Sequence, residues 1–544
     1  MEKIEQLKKW KAEYKRVRGV FPEDDVTYNL SGIPIQPLYT SDYNQAYPGQ
    51  YPFTRGIYPT MYRGRGWSRR QLIGLDTPER FNERQREIIK AGSNAVSLIF
   101  CNSFYRGYDA DMVDPLLVGT CGTPINTIED MEIAFDQIPI HQLSISLNDP
   151  IGFTGLAMLL VIAKRRGIPF SKITGTSNQS DFISHFVANH MFYRLSLDGS
   201  MKVLLDHIEY INTHLPNWNP VSIVGQHMQQ AGATPVQALA FTISSGITYI
   251  EETLKRGLQI DSFAPRFTFF YDISISLFEE IAKFRAGRRI WARLLKERFG
   301  AVDPKSMRFK FHGQTSGAEL TRQQPLNNIV RITVQAMAGI LGGAQSLHTD
   351  SYDEALGTPI EEAARIAINT QNILAEESGI ADVIDPLGGS YYLEKLTDDM
   401  EEKAWEYIHK IDEMGGMLEA VRNGYIQKEI GESAMKYQRA VDQNDKVIVG
   451  VNKYQIDESE DKRPPVTRVD TTLVDKHLLR LENYKKNRDH QRVVEALARL
   501  GEAAKDKTLN VFEATIYAIE VGCTHGEVIK ELRDKLGFGY PLSY

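Results

Sequence analysis

The sequence predicts an α/β fold, a (β/α)8 TIM barrel with an N-terminal extended arm and a C-terminal α-rich appendage. Three observations carry that prediction. From about residue 70, short apolar runs alternate with helical patterns, which implies parallel strands joined by crossover helices. Eight such runs occur, the number that closes a barrel of this kind. The stretch NPVSIVGQHMQQAGAT (219–234) also has the layout of a barrel active site: an apolar strand delivers His227 at its C-terminal end. A helix is expected at once afterwards, with Thr234 as N-cap and Pro235 in its first turn.

Taken in order, Ile4, Leu7, Trp10, Tyr14 and Val17 recur at spacings of three and four. They predict an amphipathic helix over 2–18, placed to meet another subunit or to pack back on its own domain. Residues 20–66 are rich in Pro, Gly and Tyr and read as an extended arm. The strand runs are 70–75, 95–100, 142–147, 172–176, 221–227, 266–270, 307–313 and 343–348. Helical patterns at 78–91, 155–166, 236–256, 274–299 and 325–340 lie between them. An open doubly wound sheet is the alternative arrangement. It is weakened because no GxGxxG follows a run and no GxxxxGK[ST] occurs. Beyond 386–391 the pattern turns helical and highly charged, over 395–441 and 475–535, around a polar link at 457–467. The expected division is a helix and arm for subunit contact at 1–34, the barrel at 35–400, and a helical appendage at 401–544.

Composition excludes several classes. A net charge of −7 argues against general nucleic-acid binding. The three cysteines, Cys101, Cys121 and Cys523, form no CxxC pair, which suits a reducing cytoplasm and excludes a cysteine zinc cluster. The N-terminus lacks a signal-peptide core, and the apolar run 151–163, interrupted by Gly152, Thr154 and Gly155, is too short to span a membrane. A cytoplasmic protein is expected.

Polar residues recur where the strands should end at one rim: Ser97, Ser146, Thr176 with Gln179, His227, Arg266 with Thr268, His312 with Gln314, and Gln345 with His348. Tyr58, Met61, Arg65, Ser68 and Arg70 stand ahead of or within the first run. Buried polar groups are costly unless partnered, so such a cluster marks a binding site. No paired carboxylates, multi-histidine cluster or Asp-rich magnesium spacing is present, so no metal site is expected. His185 and His190, five apart, do not share a helical face and read as surface residues. Ser97, Ser144, Ser146, Thr176, Ser222 and Thr268 replace the bulky branched residues that ordinarily fill a barrel. A ligand along the axis is one consequence; local hydroxyl–backbone bonding is the other reading of any single one.

Six stretches in order, YPFTRGIYPTMYRGR (51–65), RGYD (106–109), FAPR (263–266), FHGQTSG (311–317), QSLHT (345–349) and DPLGGS (385–390), resemble the large subunit of the adenosylcobalamin-dependent acyl-CoA mutases, the methylmalonyl-CoA mutase family. The resemblance covers roughly 35–460. It implies a barrel with the pantetheine arm of coenzyme A along its axis, and radical 1,2-migration of the thioester group. Positions matching the family's substrate contacts are Tyr58, Met61, Arg65, Ser68, Arg70, Ser97, Ser146, Gln179, Asn219, Arg266, Thr268, Gln314 and Gln345. His227 matches the histidine that hydrogen-bonds the thioester carbonyl. Glu354 and Ala355, with Gly317 and Phe100, are the positions expected beside the cofactor.

The departures carry specificity. The family's cobalamin motif, Asp-x-His-x-x-Gly, is absent; Asp475-Lys-His-Leu-Leu-Arg480 lacks its glycine. The resemblance therefore implies a separate small subunit that binds most of the cofactor, in a hetero-oligomer. Leu72 and Asn189 stand where methylmalonyl-CoA mutases have the tyrosine and arginine that hold the substrate carboxylate. Ile99 stands where 2-hydroxyacyl mutases have an aspartate. A branched, non-carboxylated acyl-CoA is expected. Gln226, Gln230, Cys101 and Asp350 are further departures that reshape the pocket or reduce activity. The alternatives are a methylmalonyl-CoA mutase large subunit, a non-catalytic subunit of a mutase heterodimer, and an unrelated metal-dependent barrel enzyme.

Overall fold

A computed structural model describes residues 2–28, 34–38, 46–74, 77–188, 195–466 and 469–539. Among them the barrel strands are β1 (Ser68–Arg70), β2 (Ala95–Leu98), β3 (Ser144–Leu147), β4 (Gly175–Ser177), β5 (Trp218–Asn219 with Val221–Val224), β6 (Phe267–Ile273), β7 (Phe311–Thr315) and β8 (Ser346–His348). All their ladder pairings are parallel. They form two arcs, β1–β8–β7–β6 with the second half of β5, and β2–β3–β4 with its first half. The expected eight strands are present, but not as one uninterrupted cylinder. Pro220 splits β5 because it has no N–H for the ladder, and among the described residues the ladder between the first and second strands is reduced to the bridge Ile73 to Leu98, just beyond β1.

Side chains close the gaps. β4 is too short to serve all of β5, so Ser222 N donates to Ser180 Oγ at 2.9 Å and Val224 N to Asp181 Oδ2 at 2.8 Å. Each buried N–H thereby finds an acceptor. At the other seam Arg70 Nη1 donates to Val96 O at 3.1 Å.

The crossover helices start where their caps dictate. Thr77 caps Pro78–Lys90, while Thr127 with Asp130 and Thr234 with Gln237 form reciprocal capping boxes for Ile128–Ala134 and Pro235–Lys255. Pro235–Lys255 does not follow β5 directly, as the sequence suggested. A short helix, Gln226–Gln230, intervenes and carries His227 in its first turn.

The arm is fastened beneath the barrel. Buried Arg288 donates to Phe53 O at 2.9 Å, Thr54 O at 2.8 Å and Gly342 O at 2.6 Å, and Arg55 pairs with Asp385 at 2.9 Å. Helix Glu2–Arg18 packs Trp10 and Tyr14 inward, and Trp10 Nε1 donates to Pro59 O at 3.1 Å. In the C-terminal region, Tyr391–Glu413 lies across Pro235–Lys255 and Leu277–Arg293. Val511–Val521 lies on Thr154–Arg165 and Leu197–His214, with Val511 N donating to Asp206 Oδ2 at 2.9 Å. Phe512, 1% exposed, fills that junction; truncation of such a side chain costs about 3–5 kcal/mol.

Candidate active site

The two arcs enclose a cavity of about 460 Å3. Its wall includes Ser144, Ser146, Thr176, Asn178, Asn219, Ser222, Thr268 and Ser346. Strand alternation explains the lining. In β3, Ser144 and Ser146 face the axis while Ile145 and Leu147 are fully buried on the other face. Approaching and entering β7, Arg308, Lys310 and His312 line the cavity between buried Phe309 and Phe311. In these strands the apolar face serves mainly the helices, and a largely polar face, with Phe269 and Phe311 at its edge, is left for the axis.

The mouth lies at the N-terminal ends of the strands. Tyr58, Met61 and Arg65 from the arm, Ser68 at the start of β1, Gln345 ahead of β8, Arg308, Lys310 and Arg16 surround it. Burial pushes the Lys310 ammonium down to about 8, helped by Arg308 and Arg266 nearby. Arg70 crosses the interior, donating to Ser346 Oγ at 2.8 Å and Ser144 Oγ at 2.7 Å, and burial lowers it to about 10. These cations are held in a desolvated place on hydroxyls and carbonyls, Arg70 on Ser346, Ser144 and Val96 and Lys310 on Pro265 O, which favours an anionic ligand. The basic period-two pattern at 308–312 was legible in the sequence and was missed there.

Four of the expected substrate residues are not in the cavity lining. Arg266 caps the end of Leu197–His214, donating to Ile211 O at 3.2 Å and Leu215 O at 3.3 Å and to the Asn212 side chain; it precedes β6 and does not line the cavity. Gln314 lies at the C-terminal end of β7, with Nε2 3.5 Å from Asp350 Oδ1. Gln179 lies beyond β4. Ser97 pairs in register with Ser146, is fully buried and leaves its hydroxyl without a protein partner. The polar set is therefore strung along the axis, not gathered at one rim, because Arg266, Thr268 and Gln345 fall at strand beginnings.

The C-terminal end holds His227, 5% exposed, with Nδ1 3.2 Å from Ser184 Oγ. Gln179 Oε1 lies 3.2 Å from His185 Nε2, and the two imidazole rings are 5.2 Å apart. His185 is buried, at 2% exposed, and not on the surface as its spacing suggested; failing to share a ligand face with His190 said nothing about burial. His190 and Asn189 lie outside the described residues. Gln226 is buried beside His227.

Leu72 and Ile99 flank the bridge between Ile73 and Leu98. Alternation turns both toward the axis, opposite to buried Ile73 and Leu98. Leu72 N donates to His348 Nδ1 at 3.1 Å, so neutral His348 carries its proton on Nε2, 3.0 Å from Asp350 Oδ1.

Glu354 and Ala355 expose part of their surface, while the Glu354 carboxyl itself is desolvated beside Asp350 and Asp353. Burial, Asp350 and Asp353 push its pKa up to about 8. A Cβ at Gly317 would stand 3.4 Å from Asp350 Oδ2 and 3.6 Å from Glu354 Cγ, so Gly317 borders the same recess. An open face with little side-chain bulk and a carboxyl able to donate an O–H fits the amide-fringed ring of a corrinoid. Phe100 offers it nothing: fully buried, it stacks on Phe104 at 4.0 Å, which stacks on His525 at 3.6 Å.

The methylmalonyl-CoA mutase family model matches residues 28–538. The chain belongs to this family. It is 42% identical over 531 residues to the mitochondrial methylmalonyl-CoA mutase of Mus musculus, covering 96% of this chain and 70% of that protein. It is 39% identical over 518 residues to the 2-hydroxyisobutanoyl-CoA mutase large subunit of Aquincola tertiaricarbonis, covering 95% of this chain and 91% of that one. Against the methylmalonyl-CoA mutase of Rhizobium meliloti (strain 1021) it is 40% identical over 543 residues, with coverage of 98% and 75%. As a member of the methylmalonyl-CoA mutase family the chain is an acyl-CoA mutase, an isomerase of an adenosylcobalamin-dependent family. Among the described residues no helix is long and apolar enough to cross a membrane, and no cluster of three or more His, Cys, Asp or Glu could hold a metal ion.

Proposed function

We propose that this chain is the large, substrate-binding subunit of an acyl-CoA mutase acting on a branched, non-carboxylated acyl-CoA. The observation that carries this reading is the hydroxyl-lined axial cavity with Arg65, Arg308 and Lys310 at its mouth. Its cations suit the phosphates of coenzyme A, and its serine and threonine hydroxyls suit the amides of a pantetheine arm. Tyr58, Met61, Ser68, Arg70, Ser146, Asn219, Thr268 and Gln345 are its contacts in this reading, with Ser97 behind them. The cavity lining ends at Asn178 and Ser222, so the acyl head would lie beyond, towards Gln179, His227 and Gln314.

Bound adenosylcobalamin supplies the radical that takes and returns a substrate hydrogen. The chain's own residues bind and place. His227 donates to the thioester carbonyl as charge builds on it during migration. Gln179 fixes the same head group, and Leu72 and Ile99 pack its apolar branches while excluding water. A substrate carboxylate would meet no cation from Leu72 or Ile99, a large cost in a buried site. Glu354, Ala355 and Gly317 would face the corrinoid. Most of that cofactor belongs to a small subunit carrying Asp-x-His-x-x-Gly. A relative 39% identical that is itself a large subunit, of 2-hydroxyisobutanoyl-CoA mutase, supports a heteromeric partner. In this reading residues 1–34 serve subunit contact, 35–400 the barrel and 401–544 its buttress, and three free thiols suit a cytoplasmic setting.

The test is a panel of isobutyryl-, pivaloyl-, 2-hydroxyisobutyryl- and methylmalonyl-CoA, with adenosylcobalamin and the cobalamin-binding partner. The branched, uncharged esters should turn over fastest, and Leu72→Tyr with Asn189→Arg should shift preference to methylmalonyl-CoA. A wild type that already prefers methylmalonyl-CoA contradicts the pocket argument. Turnover without any partner contradicts the division.

A further inference from the structure

We infer that the short helix Phe182–Val187 is a positioning element of the acyl chamber, in which Ser184 orients His227 and His185 orients Gln179. The inference rests on the reading of His227 and Gln179 as substrate contacts. The two positioning side chains are adjacent in sequence, and both are buried, Ser184 completely and His185 at 2% exposed.

The geometry assigns each bond a direction. Gln179 Oε1 can only accept, so His185 Nε2 carries the hydrogen across the 3.2 Å contact. That leaves the carboxamide NH2 of Gln179, two donors, for a substrate acceptor. Ser184 Oγ lies 3.0 Å from Asp181 O and 3.2 Å from His227 Nδ1. Its one hydrogen serves one of them; given to Nδ1, it fixes the tautomer in which the His227 proton sits on Nε2, the edge that would donate to the thioester carbonyl.

What makes this a built arrangement is Asp181. A six-residue helix has little stability of its own. Here Asp181 caps it, with Oδ1 accepting from Ile183 N at 3.1 Å, from Ser184 N at 3.4 Å and from the Tyr249 hydroxyl. Its other oxygen accepts from Val224 N at 2.8 Å. Ser184 lies three residues beyond Asp181, and His227 three residues beyond Val224. One buried carboxylate thus anchors both sides of the Ser184–His227 contact, and fixes His185 one residue further on.

Double-mutant cycles test this. They use the adenosylcobalamin-loaded complex with its partner and the panel ester of highest kcat/KM. Titration with coenzyme A serves as the fold control. His185→Phe keeps a ring of similar size but loses the donor; it should lower kcat about tenfold with KM within about twofold. His185→Gln, which can donate again, should stay within about threefold of wild type. In a Gln179→Ala background His185→Phe should cost nothing more, and Ser184→Ala likewise in a His227→Ala background. Losses that simply multiply, or a His185→Phe enzyme as fast as wild type while Gln179→Ala is impaired, would overturn the inference. If Gln179→Ala and His227→Ala are themselves fully active, it is the underlying site reading that fails, and the positioning role falls with it.

Discussion

The two ends of the barrel axis oppose one another in charge. At the N-terminal mouth, burial works on cations, lowering Lys310 to about 8 and Arg70 to about 10. At the C-terminal end it works on carboxyls, raising Glu354 to about 8 and Asp181 to about 6. Desolvation is the first cause in every case, and it always opposes the charged form. The difference teaches that one end is prepared for a ligand that brings negative charge. The other end, which holds His227, is prepared for neutral groups.

His227, at that second end, should be the most sensitive point. His227→Ala is expected to lower kcat about 10²–10³-fold while KM stays within about threefold, since the lost donor acts mainly in the transition state; an equal effect on both would break the comparison. Next comes the axis itself. Ser146→Leu restores the aliphatic filling of an ordinary barrel and should weaken coenzyme A binding about tenfold to a hundredfold, by overpacking of about 1–3 kcal/mol. Lys310→Met, at the mouth, should weaken it about tenfold, with a flatter salt dependence.

The smallest effects sharpen the contrast through pH. Lys310 titrates near 8 in the folded chain against 10.5 for the free group, so the folded state sheds its proton first. The wild type should therefore gain thermal stability relative to Lys310→Met as pH rises from about 8 to 10.5. Glu354 is raised from 4.5 to about 8. Its contribution is complete below 4.5 and lost as pH rises through 8, so without cobalamin the wild type should lose stability relative to Glu354→Gln over that window. Melting curves of the three proteins check both signs.

Much of this was legible in the residues. All eight strands and the named helices lie within a few positions of where periodicity put them, because apolar runs and caps are local signals. Ser144, Ser146, Ser222 and Thr268 together pointed to a polar axis, although any single one could equally bond backbone locally, as Thr268 Oγ1 does to Val221 O at 3.0 Å. What was hidden depends on where strands begin. Arg266 was taken for a strand-end residue, but β6 starts after it and its guanidinium serves a helix terminus. His185 looked peripheral because its partners, Gln179 and the neighbouring His227, are brought to it by the fold. The interrupted cylinder follows from Pro220 and from the brevity of β4. Only the first of these was readable in advance.

The most direct measurement is calorimetric titration of the chain with coenzyme A alone, comparing wild type with Ser146→Leu, Lys310→Met and Glu354→Gln. The account predicts one site per chain, weakened in the first two variants and unchanged in the third, with proton uptake on binding near pH 8.5 as the ligand's phosphates recharge Lys310. Equal affinity in all four proteins, or weakening by Glu354→Gln alone, would contradict it.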